Sequence, residues 1–553
     1  MTPHPYDPFA DARKAASVIV LRDRPTGGME LLMIRRAERD GDLRSGAAVF
    51  PGGVLDPRDR EAHACCLGWD DARATREMSL GEGALDYLVA AVRESFEEVG
   101  LLFLDGLTPQ AMDEAHAQWR SPMQRGERAL AELCRAFGAQ VDLRDWAYFS
   151  HWLTPPGAPK RFDTRFFITR APEGQAADAD LGEAVELMWL TPDEALDPAR
   201  GLKLLPVTQR TLKDLARFAD ADAAMAHARA LTGITLTMPR RADSARGQRV
   251  VLPDDHAWAE IGRIDPAGKG GAWADIAPGR VVRLSPRVLR VTAPNAGMMT
   301  GPGTNSYLVG CPESGRWTVI DPGPADPAHL QALQAAAPGP IERILATHTH
   351  VDHSPGAVAL AAATGAPVFG RRPDYSAGQD ATFAPLRELD DGELIELGPT
   401  ATLRVRHTPG HASNHLCFEL LQEKLLFTGD HVMQGSTVVI NPPDGDMAAY
   451  LGALRGLLEA DLEWLAPGHG FLVAQPHRVI EALIRHRLVR EARVVRVLGE
   501  MGPATLEALV PQVYADVPAG LHPIARRSLL AHLLKLQGDG RAVLRGDDWL
   551  LAG

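Results

Sequence analysis

The heptapeptide Thr347-His348-Thr349-His350-Val351-Asp352-His353 constrains this chain more than any other stretch, because three imidazoles and a carboxylate occupy six consecutive positions. So short a segment can aim that many N and O donors at one point only from the mouth of a pocket, and imidazole and carboxylate are borderline-to-hard ligands that suit Zn, Fe or Mn. Residues 341–346 place Ile344 and Leu345 beside Glu342 and Arg343 and read as a short strand. The donors therefore sit on the loop at its C-terminal end, where active sites favour loops on a rigid scaffold.

Three later loops repeat the design. Thr408-Pro409-Gly410-His411 follows the strand-like 402–406, Thr428-Gly429-Asp430-His431 follows the apolar run 425–427, and Pro467-Gly468-His469-Gly470 follows Trp464-Leu465. This order of HxHxDH, separate His, Asp and last His resembles the metallo-beta-lactamase fold family and its binuclear hydrolases. Residues 305–309 and 318–323 are similar to that family's opening hairpin. The resemblance implies an αββα sandwich in which His348, His350 and His411 hold one metal, Asp352, His353 and His469 hold the second, and Asp430 lies between them. Zn leads as the expected pair, with Fe and Mn accepted by the same ligands. Two such cations, roughly 3.5–4 Å apart, lower the pKa of a bridging water and stabilise charge developing on a carbonyl or phosphoryl oxygen. Asp352 doubles as a proton acceptor. His407, His415 and His431 lie close by in sequence and receive no role.

Residues 477–499 carry Ile480, Leu483, Ile484, Leu488, Val494, Val495 and Leu498 at helical spacing, with six arginines between them. Two further helices are predicted, over 504–513 behind Thr505 and over 523–537 before Gly538, followed by two strands across Gly546-Asp547. Three helices and a hairpin make a winged helix. The tail resembles the C-terminal domain of the metallo-beta-lactamase-like branch that includes the mitochondrial single-strand endoribonuclease, which brings RNA in as an alternative substrate. Residues 476–553 hold eleven Lys or Arg against eight Asp or Glu, a weak footprint beside committed nucleic-acid binders. The arginines read first as a solvated helix face or a cap over the metal cleft.

The first 240 residues carry an unrelated signal. Phe50-Pro51-Gly52-Gly53 follows a strand-like Ala47-Ala48-Val49, and Arg93-Glu94-Ser95-Phe96-Glu97-Glu98-Val99-Gly100 closes a helix. Leu85, Val89, Val92, Phe96 and Val99 make one buried stripe. Glu94, Glu97 and Glu98 crowd the other side, where like charges repel unless a cation lies between them. Mg²⁺, bound through carboxylates, water and phosphates, suits such a patch.

The pattern resembles the Nudix box, which implies an α/β/α sandwich whose glutamates bind Mg²⁺ or Mn²⁺ and cleave a nucleoside diphosphate linked to another moiety. It departs from the box in two ways: an insertion of roughly 55–80 separates Gly53 from the helix, and the early glutamate falls on Leu85, so that either Glu82 or Asp86 substitutes or that ligand is lost. The interrupted box, with Thr154-Pro155-Pro156 and the run from Lys160 to Phe167 downstream, is similar to the branch that includes acyl-CoA diphosphatases. Glu183 and Glu186, before Met188-Trp189-Leu190, resemble that fold's late strand.

At 553 residues the chain has room for three or four domains. The expected division is a Nudix-like domain over 10–240, a linker or Nudix extension over 241–285, a metallo-beta-lactamase-fold domain over 286–475 and a winged helix over 476–553, an α/β multidomain protein. Five cysteines without regular spacing imply a reducing compartment. No leader-like or membrane-spanning run appears, so a cytoplasmic protein is expected. The net charge of −13 disfavours nonspecific binding to nucleic acid or anionic membranes.

The whole reads as a metal-dependent hydrolase of an ester, thioester or phosphodiester, fused to a Nudix domain that cleaves a CoA-type or nucleoside diphosphate. Its alternatives are a single-strand endoribonuclease and a Nudix half that senses nucleotide without cleaving it. The oligomeric state is not legible.

Overall fold

The computed structural model describes residues 7–38, 45–178 and 184–552. The chain divides into two compact units, 1–241 with 267–269, and 242–266 with 270–553.

The first unit is built on a nine-stranded mixed sheet. Its centre is the long strand Ala12–Asp23, parallel to Arg161–Arg170 and antiparallel to Met29–Arg36. The predicted helix forms over Leu85–Val99, ending at the left-handed Gly100. Its stripe of Leu85, Val89, Val92, Phe96 and Val99 packs with Val18, Val20, Leu32 and Phe167 of the sheet. Helix Ala221–Ala230 also contacts the sheet strands. This is the Nudix-type sandwich expected from the sequence. The insertion is ordered: it holds the 3-10 helix Pro57–Cys65 and the helix Asp71–Met78.

The second unit contains two facing sheets. The first runs in chain order from Val281–Ser285 through Val288–Thr292, Asn305–Cys311, Arg316–Ile320, Ile341–Leu345 and Val368–Gly370 to Arg387–Glu388. The second runs from Leu394–Gly398 through Ala401–His407, Leu416–Leu420, Leu425–Gly429 and Trp464–Pro467 to Val473–Ala474. Val309, Ile320 and Leu345 of one meet Leu403, Val405, Phe418 and Phe427 of the other in a shared apolar core. Helices Pro327–Ala336 and Gly356–Thr364 cover the outer face of the first sheet, and Met447–Leu457 covers the second. The result is the αββα sandwich.

The tail follows without a break. Helix Pro476–Met501 buries Ile480 among the residues beneath the second sheet and Val494 and Leu498 in a separate cluster with Leu509, Val513, Leu529, Leu533 and Trp549. Helices Leu506–Val513 and His522–Gly538 and the hairpin of Ala542–Arg545 with Asp548–Leu551 complete the winged helix. Its arginines are not a uniformly solvated face. Arg487 is buried and donates to the Val438 carbonyl, while Arg490 and Arg493 both pair with Asp516 at 2.8 Å. One is turned inward onto a carbonyl and two share one carboxylate, so spacing alone overstates the freely exposed positive charge.

Residues 242–266 and 270–285, Gly- and Pro-rich like a joint, are grouped with the second unit. The reason is apolar: Ala242, Val251, Ala257, Ile261, Ala272 and Ala274 pack around Phe471. Among the described residues, no helix is long and apolar enough to cross a membrane.

Candidate metal centre

All seven donors predicted in the second unit converge. His348, His350, Asp352 and His353 leave the C-terminal end of strand Ile341–Leu345 in the first sheet. His411, Asp430 and His469 follow Ala401–His407, Leu425–Gly429 and Trp464–Pro467 in the second. In each sheet the strand ends in a turn that lifts the donor out of the ladder, at the edge where the two sheets meet.

The donors form two adjoining sets, joined where His348, His353 and Asp430 also lie within reach of one another. Nδ1 of His350 lies 2.9 Å from Nε2 of His348 and 3.0 Å from Nε2 of His411. Nε2 of His469 and Nε2 of His353 each lie 3.4 Å from Oδ2 of Asp352. Asp430 is shared between them: Oδ2 is 3.7 Å from Nε2 of His411, and Oδ1 is 3.4 and 3.3 Å from Nε2 of His353 and His469. Nε2 of His353, Nε2 of His469 and Oδ1 of Asp430 are buried with no hydrogen-bond partner. Buried polar atoms are normally paired. Three orphans aimed at one point, beside three imidazole nitrogens in near contact, fit a pair of divalent cations. Among the described residues, the sets of three donors lying within 4.8 Å of one another are all drawn from these seven.

The far side of four of the rings is fixed by a neighbour. A carbonyl or carboxylate oxygen only accepts, so Nδ1 carries the proton towards Val439 O in His411 at 2.7 Å, Gly303 O in His469 at 3.2 Å and Asp321 in His353 at 2.9 Å. Nε2 of each ring is thereby turned inward. Nδ1 of His348 meets the Thr347 hydroxyl at 3.0 Å. Asp321 went unassigned from the sequence. It is buried, at φ +53°, and also accepts from the Thr347 amide at 2.7 Å and hydroxyl at 2.8 Å. The sequence signal was the Asp321-Pro322-Gly323 turn, which announces a bend but not a partner 32 residues on. Of the unassigned histidines, Nε2 of His415 contacts the Asp430 amide at 3.2 Å, His431 is buried, and His407 contacts the Ser413 carbonyl.

The electrostatics divide the same way. Burial, reinforced by neighbouring imidazoles, holds His348 far below its usual range and brings His350 down to about 3, so both are neutral donors. Burial also opposes charge on His353 and His469, yet the surrounding carboxylates win, and His469 is raised to about 9. Burial raises Asp352, but His353 and His469 outweigh it and hold it at about 2. A proton on these rings takes the place of positive charge that the carboxylates are built to receive.

Space is as restricted as charge. A Cβ on Gly468 would stand 2.7 Å from Oδ1 of Asp430 and 2.8 Å from Cε1 of His353. We expect Gly468→Ala to displace both side chains and lower the metal content of the purified protein below that of the parent, measured by elemental analysis; unchanged content would refute this tight-turn argument.

The first-unit candidates are arranged differently. Leu85 is buried in the core and offers no donor. Glu98 accepts from the Gly52 amide at 2.9 Å. A Cβ on Gly53 would stand 2.2 Å from Oε1 of Glu94, so the Gly-Gly turn lies directly on the acidic patch. Arg93 donates to Glu94 at 2.7 Å, to Glu97 at 3.4 Å and to Asp59 at 2.8 Å. Burial pushes Glu97 up to about 7, against the pull of Arg93. Asp59, contributed by the insertion, was not identified from sequence. Asp86 faces His63 at 2.7 Å and Arg60 at 3.4 Å, while Glu82 is exposed. Glu186 pairs with Arg35 at 2.9 Å, and Glu183 lies outside the described residues.

Family comparisons follow this division. Residues 299–469 match the metallo-beta-lactamase superfamily, 69–204 the NUDT19 Nudix domain, and 505–549 the beta-lactamase associated winged helix domain. An atrochrysone carboxyl ACP thioesterase of Aspergillus chevalieri is 32% identical over 293 residues, covering 49% of this chain and 89% of that protein. A beta-lactamase-like protein 2 homolog of Drosophila melanogaster is 32% identical over 277 residues, covering 47% and 91%. A NUDIX hydrolase structure from Alicyclobacillus acidocaldarius is 27% identical with a TM-score of 0.32, covering 39% of this chain and 96% of that one.

Proposed function

The chain belongs to the metallo-beta-lactamase superfamily and is a hydrolase fused to a Nudix domain, and from that premise we propose that its seven-donor centre acts on a small thioester or related ester. Both families generally use divalent cations. We assign His348, His350 and His411 to one ion, Asp352, His353 and His469 to the other, and Asp430 to both, with Zn as the leading pair. The observation that carries the assignment is the division of the two Asp430 oxygens between the two imidazole sets. Ions held there would supply Lewis-acid polarisation and an activated water.

The chain's own groups supply orientation. Asp352, a carboxylate held low whose Oδ2 accepts from the Thr304 hydroxyl at 3.1 Å, would orient an attacking water by accepting its hydrogen bond. Thr304 in turn is bonded to Asn295 at the base of a hairpin closed by Gly297 and Gly301, with Met298 80% exposed at its tip and Met299 beside it. An apolar edge tied to the site favours an acyl group over a phosphodiester backbone, and the relative named as an ACP thioesterase supports the same class. The endoribonuclease alternative is weakened by the arginines Arg487, Arg490 and Arg493, which pair within the protein.

For the first unit we propose that Glu94, Glu97 and Glu98 bind Mg²⁺ or Mn²⁺ with a CoA-type or nucleoside-diphosphate substrate. A second reading, nucleotide sensing without cleavage, is favoured by Leu85 in the early ligand slot and by Arg93 among the glutamates.

One assay separates these readings. Full-length protein is offered an acyl-CoA, a simple ester and single-stranded RNA, each with and without chelator, and a CoA diphosphate with and without Mg²⁺. Chelator-sensitive thiol release from the acyl-CoA is the expected result. RNA cleavage without thioester turnover would replace the second-unit proposal. Mg²⁺-dependent release of a phosphorylated product, lost in Glu97→Gln, is expected of the first unit, and its absence would leave the sensor.

A further inference from the structure

The loop that presents His469 is held from outside the residues matched to the superfamily. Glu260, on the short helix Trp258–Ile264, is 1% exposed, and Arg290, on the strand Val288–Thr292, is 2% exposed. Their ion pair is bidentate, at 2.6 and 2.9 Å. The same Glu260 oxygen that takes the shorter bond also accepts from the Leu472 amide at 2.8 Å. One turn earlier, Gln434 donates to the His256 carbonyl and accepts from the Phe471 amide, each at 2.8 Å. On the opposite side, Asn305 donates to the carbonyls of Pro467 and Gly470, and the Tyr307 hydroxyl donates to Pro467. His469 stands in the middle of this clamped run.

A buried carboxylate pays its desolvation only when fully paired. Glu260 satisfies that condition with a guanidinium and a backbone amide three residues beyond His469. The alanine-rich surface around it seals the contact against Phe471.

We propose that Glu260 is a positioning residue for His469, so that residues 242–285 act as a brace for the second metal position. Glu260 fixes the path of the 469–472 backbone, and that path sets how far Nε2 of His469 reaches towards Asp352 and Asp430. The inference rests on the two-ion reading of the seven donors.

The test uses full-length protein, stripped of metal and titrated with Co²⁺, whose absorption reports each site as it fills. His469→Ala and His411→Ala give the reference patterns for losing one position or the other. Glu260→Gln removes the charge, and the double variant Glu260→Met with Arg290→Met replaces the pair by apolar groups of similar bulk, a change that buried ion pairs often tolerate. With circular dichroism confirming that the double variant is folded, the expected result is an unchanged first binding step and a second weakened by about 10–100-fold, the range seen when groups that orient metal ligands are lost. Two unchanged steps in a folded double variant would overturn the proposal, as would equal weakening of both. A parent chain that takes up no Co²⁺ would instead overturn the two-ion reading itself.

Discussion

Asp430→Ala is expected to abolish retention of both cations and to lower thioester or ester turnover by roughly a thousandfold or more, since several kcal/mol of stabilisation from the ions disappears at a tenfold rate change per 1.36 kcal/mol. Among the described residues, no other gives an oxygen to both sets of imidazoles. Its removal also takes away the carboxylate that most strongly raises His469. Asp430→Asn, similar in shape but neutral, is expected to keep a single weak oxygen ligand and to fall between the parent and the alanine variant. The measurements are elemental analysis after gel filtration and kcat/KM on the best substrate of the panel. A fully metallated, active alanine variant would remove Asp430 from the centre.

The second large effect is expected at Asp321. It receives the Thr347 amide and hydroxyl and the His353 ring, tying the start of the ligand loop to the ring that must face both Asp352 and Asp430. Asn tolerates the left-handed backbone that Asp321 adopts, so Asp321→Asn is expected to fold. Loss of charge behind His353 should weaken the second ion by about 10–100-fold. Asp321→Ala goes further, leaving buried donors unmatched at about 1–3 kcal/mol each, and should lower the melting temperature as well. Cobalt titration reads the first effect and calorimetry the second. Wild-type affinity in Asp321→Asn would mean that the charge behind His353 adds nothing to ion binding beyond a hydrogen bond that the Asn oxygen can also accept.

The parts of this protein legible in its sequence are those whose signal is local. His348 and His350 sit beside threonines in one heptapeptide with Asp352 and His353, and His411, Asp430 and His469 each directly follow a glycine behind an apolar strand, so order and spacing were enough to place them. The helix Leu85–Val99 announced itself by period, and the winged helix by three amphipathic runs and a Gly-Asp turn. What stayed hidden acts across distance. Asp321 meets His353 only because two parallel strands bring their ends together. Glu260 is one acidic residue in a stretch whose glycine and proline content suggests a joint, and its partner is 30 residues away. Asp59 lies inside an insertion that composition marks as an interruption, yet it returns to Arg93 of the acidic helix. Arg487 shows the opposite error: helical spacing put it among solvated neighbours, whereas the fold turned it inward.

Four donors hang from the first sheet and three from the second, so cations there would rivet the two halves of the sandwich to each other. An ion present at a hundred times its dissociation constant adds about 2.7 kcal/mol to the folded state. Metal supply would then govern how much of this unit stays folded as well as how fast it works, and starvation for the ion would be felt as lost protein before it was felt as slow chemistry.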